Sequence, residues 1–73
     1  MEEHWAKAYQ SGQAIRAEIA REILEQNGIG AVIVNRQDSN LPVFGNFEVH
    51  VPAAELGKAQ TILTNDEALK QPE

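Results

Sequence analysis

Two strand-like runs, Gly30 to Asn35 and Asn46 to Val51, lie between two helical patterns and are joined by the polar segment Asn35-Arg36-Gln37-Asp38-Ser39-Asn40. That order constrains the fold more than any single motif does. Strands and helices interleaved in a chain this short must bury their apolar sides on one another, which specifies a small α+β unit. The long connection between the two runs sits where a rigid scaffold carries functional residues.

The flanking segments complete the pattern. In Trp5-Ala6-Lys7-Ala8-Tyr9-Gln10, Trp5 and Tyr9 share one face of an extended chain, and Ser11-Gly12 would stop a helix, so a first strand is predicted there. Ser11 and Gly12 are also candidate N-cap residues for a helix whose apolar positions Ile15, Ile19, Ala20, Ile23 and Leu24 recur at helical spacing. Arg21 and Glu25 stand four apart on it, and Asn27-Gly28 supplies the left-handed residue expected past a helix end. Ile29 to Val34 is β-branched and apolar on both faces, which predicts a strand buried on two sides. Phe47, Val49 and Val51 alternate with Glu48 and His50, the pattern of a half-exposed strand. Pro52 ends that strand and suits the first turn of a second helix, whose buried stripe is Leu56, Ala59, Ile62 and Leu63. Residues 5–63 thus form one domain, with 1–4 and 64–73 as flexible polar ends.

Joined under the usual handedness rules, these elements give a ferredoxin-like β-α-β-β-α fold. It is a three-stranded antiparallel or mixed sheet with both helices on one face and the fourth strand missing. Ile15, Ile19, Ile23 and Leu24 are expected to pack on Phe47, Val49 and Val51. The first strand keeps an unpaired edge, on which Lys7 either guards against pairing or borders a dimer seam. A core built from 73 residues is marginal, so a homodimer is a reasonable source of extra burial.

Composition removes several function classes. The absence of cysteine excludes disulfides, thiolate metal sites and thiol catalysis, and suits a cytoplasmic location. No apolar run approaches the roughly 20 residues a membrane-spanning helix needs, and no signal peptide opens the chain, so a soluble protein with no membrane partner is expected. Eleven acidic against six basic residues, a net charge of -5, disfavours a phosphate backbone as partner, so no nucleic acid is expected. Gly28 and Gly30 follow a helix, the wrong context for a dinucleotide fingerprint. Ser11, Ser39, His4 and His50 form no nucleophile and base motif. The expectation is a non-enzymatic protein without a cofactor.

Two surfaces remain as candidates. Asn35, Arg36, Asp38, Ser39 and Asn40 surround Phe44 and Val43 with donors and acceptors, as a protein-binding loop would. The plainer account of the same residues is a long hairpin connection in which Asn and Asp bond their own backbone. Glu48 and His50 share one strand face, with His4 on the neighbouring strand, and two histidines plus a carboxylate can hold zinc or iron. Alternating polar residues are equally what any half-wet strand shows. The alternative to a protein-binding module is therefore a small-ligand or metal sensor on the open sheet face.

The stretch Ile15 to Gln26 with Asn27-Gly28-Ile29, then Val34-Asn35-Arg36-Gln37-Asp38-Ser39, then Phe44-Gly45 and Phe47-Glu48-Val49-His50-Val51-Pro52, resembles a family of small bacterial domains. It is the domain-of-unknown-function family named Putative prokaryotic signal-transducing protein. The likeness covers about residues 5 to 63. It implies a ferredoxin-like fold and a signalling or regulatory role, and it supplies no substrate. The topology is also similar to that of the nitrogen-regulatory PII proteins, whose loop between the second and third strands contacts partners. This chain departs from them in offering no fourth strand and no phosphate-binding site.

Overall fold

Helix-breaking pairs and β-branched runs divide the chain as the pattern requires. The computed structural model describes residues 4–35 and 47–66. Its elements are β1 (Trp5–Ser11), α1 (Ala14–Gln26), β2 (Val32–Asn35), β3 (Phe47–Pro52), a 3-10 turn (Ala53–Glu55) and α2 (Leu56–Asn65). The sheet order is β1-β3-β2, and β3 runs antiparallel to both neighbours. The strand latest in sequence is thus central, as in a ferredoxin-like sheet, and β1 and β2 are the two edges. The outer edge of β1 is where a fourth strand would pair.

Val49 and Val51, both fully buried, project from β3 toward the helices. They cluster with Ala17, Ala20 and Leu24 of α1, Ala59 and Leu63 of α2, and Ile29 and Ala31 before β2. Both helices therefore cover one sheet face, and among the described residues no element covers the other. Leu56 and Ile62 pack partly against this core, as the stripe of the second helix predicts.

The face of α1 that packs on the sheet shares Ala20, Ile23 and Leu24 with the predicted stripe but is turned away from Ile15. Ala17, Ala20 and Leu24 are the buried positions, whereas Ile15 is 63% exposed and Ile19 half-buried. Leu24 and Ile15 are nine residues apart, two and a half turns, so they point in opposite directions. Alanines at the contact let the helix axis approach the sheet closely, and that approach decides which side is inside.

Both ends of α1 are held by specific bonds. Ser11 is the last residue of β1, buried, and its Oγ accepts the Gln13 N–H at 3.0 Å. The helix itself is capped at Gln13 without a side-chain bond, so Ser11 shapes the entry turn instead of capping the helix. At the other end Gly28 takes φ +82°, the Gly28 N–H donates to Glu25 O at 3.1 Å, and the Ile29 N–H donates to Leu24 O at 2.9 Å. This pair of bonds is a Schellman motif, and its hydrophobic closure is the buried contact region of Leu24 and Ile29.

Three boundaries differ from expectation. β2 begins at Val32, not Gly30, and Val32 is 44% exposed, because an edge strand with helices on one side only has a bare second face. Pro52 closes β3, and a 3-10 turn precedes α2, which continues beyond Leu63 to Asn65. In β1 the register slips between Lys7 and Tyr9, which makes Ala8 a bulge residue.

Candidate functional site: the open sheet face

The face turned away from the helices can be laid out from the strand register. Trp5 stands opposite Pro52, Lys7 and Val32 flank His50, and Gln10 and Val34 flank Glu48. The grid has Glu48 and His50 along its centre, Lys7 and Gln10 beside them on β1, and the hydrophobic Trp5, Val32 and Val34 on the edge strands. Trp5 and Val32 are each 44% exposed and lie on opposite edge strands.

Glu48 and His50 are two apart on β3, so the pleat turns both toward this face. His50 Nε2 lies 2.9 Å from Glu48 Oε1, within hydrogen-bond distance. Both side chains are well covered, 16% and 11% exposed, so the middle of the face is drier than simple alternation suggests. Lys7 Nζ comes within 4.0 Å of Glu48 Oε2 and donates to Gln10 Oε1 at 2.8 Å. An acid, an imidazole and an ammonium thus share one patch.

Two of the three residues of the metal-site expectation, Glu48 and His50, lie side by side on this face. His50 and Glu48 bond to each other, and no group of three or more metal-ligating side chains occurs among the described residues. His4 is exposed, and its carbonyl accepts the Ala53 N–H at 2.7 Å. That bond places His4 past the Trp5–Pro52 row, at the far end of β1 from Glu48.

Of the loop residues singled out by sequence, Asn35 is described. It is the exposed last residue of β2, paired with Phe47 at the start of β3. Arg36, Asp38, Ser39 and Phe44 lie outside the described residues. Since Asn35 and Phe47 adjoin the Val34–Glu48 row, the connection carrying those four residues is rooted at the Glu48 end of the open face. Sequence reasoning missed the exposure of Trp5 and Val32. The signal for it was the helix count, since two helices cover one side of a sheet.

Elsewhere, Arg21 bonds Glu18 at 3.0 Å and Glu25 at 3.2 Å on the outer side of α1. The hydrogen bond to Glu18, with the charges of Glu25 and Glu18, holds its guanidinium above the ordinary arginine range. This triad lies on α1, outside the sheet grid. A cleft of about 390 Å³ between β1 and α2 is lined by Ala8, Tyr9, Gln60, Leu63 and Thr64. No helix among the described residues is long and apolar enough to cross a membrane.

A family model described as Putative prokaryotic signal transducing protein matches residues 5–67, a span that includes every strand and helix above. The chain belongs to that family. The family is a domain of unknown function, and its name suggests a signalling role without a ligand or reaction. No curated protein and no solved structure matches the chain.

Proposed function

We propose that this member of the family is a non-enzymatic regulatory module that binds a protein partner through the open sheet face and the adjoining connection between β2 and β3. The observation that carries the reading is the position of Trp5 and Val32. Two substantially exposed hydrophobic residues flank a polar centre on a sheet face that neither described helix covers. Aromatic anchors beside satisfied polar groups are the usual makeup of a protein-binding patch. The rooting of the Arg36, Asp38, Ser39 and Phe44 connection at the same face supports a continuous surface, and family membership supports a signalling role.

The test is affinity capture from native-host extract, comparing wild type with Trp5→Ser and with an Arg36, Asp38 and Phe44 triple-alanine variant. Both variants are expected to keep the wild-type circular dichroism and lose the captured partner. Undiminished capture by both would overturn the reading. The alternative, a metal sensor, is favoured by the 2.9 Å approach of Glu48 and His50. Saturable amide shifts at those residues on zinc titration, followed by heteronuclear NMR, would favour it instead.

A further inference from the structure

Among the described residues the sheet has three strands, and the edge where the ferredoxin-like order would place a fourth is β1. Beside it lies the cleft of about 390 Å³, whose lining comes from Ala8 and Tyr9 of β1 and Gln60, Leu63 and Thr64 of α2. No residue of β3 or α1 lines it, so it opens on the outer side of the sheet. An added strand would have ladder groups to pair with along β1 and an apolar wall, Tyr9 and Leu63, for its inward side chains.

Charge identifies a suitable occupant. The chain carries a net -5, and like-charged copies repel over most of their surface. The two elements that line this edge carry none of that negative charge. β1 (WAKAYQS) and α2 (LGKAQTILTN) contain no acidic residue and one lysine each, whereas α1 carries Glu18, Glu22 and Glu25. Two copies approaching along β1 keep their acidic helices apart.

The bulge makes this edge complementary to itself. Because Ala8 is the extra residue, Lys7 and Gln10 face the open side while Ala6, Tyr9 and Ser11 face the helices, and Ala8 packs toward the core. In an antiparallel pairing of β1 with a second β1, one register centred between Ala8 and Tyr9 sets Ala6 opposite Ser11, Lys7 opposite Gln10 and Ala8 opposite Tyr9. Every opposed pair then shares a face, and the two bulges meet at the centre. Moving the register by one residue sets open-side against helix-side positions.

We propose that a second copy of this chain docks antiparallel along Ala6–Ser11 of β1, joining two three-stranded sheets into one of six strands. The only charge on the seam, Lys7, stands opposite the neutral Gln10 of the other copy. Their bonding chemistry already exists within the chain, where Lys7 Nζ donates to Gln10 Oε1 at 2.8 Å.

The experiment is sedimentation of the full chain across micromolar to millimolar concentration, with a charge-swap pair of variants. Wild type is expected to reach twice 8.1 kDa. Gln10→Lys sets two lysine pairs across the seam and is expected to weaken the dimer about tenfold or more, since directly opposed like charges destabilise a strand pair. Adding Lys7→Gln to it restores a lysine–glutamine pairing and is expected to restore the dimer. Amide exchange of wild type supplies an independent reading, with β1 amides gaining protection as concentration rises. A chain monomeric at millimolar concentration overturns the proposal. So does a dimer that ignores both variants and leaves β1 exchange unchanged, because its interface is then another surface, such as the open face.

Discussion

Truncating Leu24 to alanine tests the packing of α1 most directly. Leu24 is fully buried, belongs to the central cluster and supplies the carbonyl that accepts the Ile29 N–H at the helix end. The change removes three carbons, worth about 2.4 kcal/mol at roughly 0.8 kcal/mol per buried methylene. The cavity left behind raises the loss to about 3–4 kcal/mol. For 73 residues the whole stability is on the order of 4–11 kcal/mol, so this one side chain accounts for about a quarter of it or more. The thermal midpoint should fall by about 15–25 °C. Ile15→Ala is the control, since Ile15 is 63% exposed and the loss should stay under about 0.5 kcal/mol. Urea unfolding followed by far-UV circular dichroism measures both, at one fixed protein concentration, because self-association would add its own stabilisation. Equal losses at the two positions, or a loss below about 1 kcal/mol at Leu24, would refute the assignment of the buried face.

Three further substitutions probe particular contacts. Gly28→Ala should cost about 1–2 kcal/mol through backbone strain alone, because φ is +82° and an added Cβ would meet nothing within 4 Å; a neutral result in chemical denaturation would remove the left-handed turn. Ser11→Ala should cost about 1 kcal/mol in the same assay, since the buried Oγ accepts the Gln13 N–H, and Ser11→Thr should recover part of it. Ala20→Leu should lower stability by about 1–3 kcal/mol by forcing α1 off the sheet, and a more stable variant would mean that the helix does not sit close.

Local chemistry was readable in the sequence where it depends on backbone conformation. Asn27-Gly28 announced the turn that ends α1, and the alternation of Phe47, Val49 and Val51 announced the helix-facing side of β3. The inner face of α1 was readable in part: Ala20, Ile23 and Leu24 pack as the stripe predicts, but apolar residues on both sides of the helix keep periodicity from ranking Ile15 and Ile19 against Ala17. The choice fell to Ala17 and Ala20, whose value is small size at a close approach instead of hydrophobicity. The bulge at Ala8 and the turn bond of Ser11 depend on which strand pairs with which, information that alternation within one strand lacks. At the open face, Glu48 and His50 were legible as neighbours, but their mutual bond and cover required the flanking Lys7, Val32 and Val34 from two other strands.

The central position of β3 also sets a timetable for folding. β1 and β2 are both earlier in the chain, yet each is hydrogen-bonded to β3 and neither to the other. While a ribosome has delivered the chain only as far as Asn35, β1, α1 and β2 have no sheet to join. Their contacts wait for a strand distant in sequence, and closing such separations slows folding relative to a hairpin or helical bundle of the same size. During that interval α1 is the element able to form, closed locally by its own glycine turn. The sheet then assembles around β3, the last of the described strands to emerge.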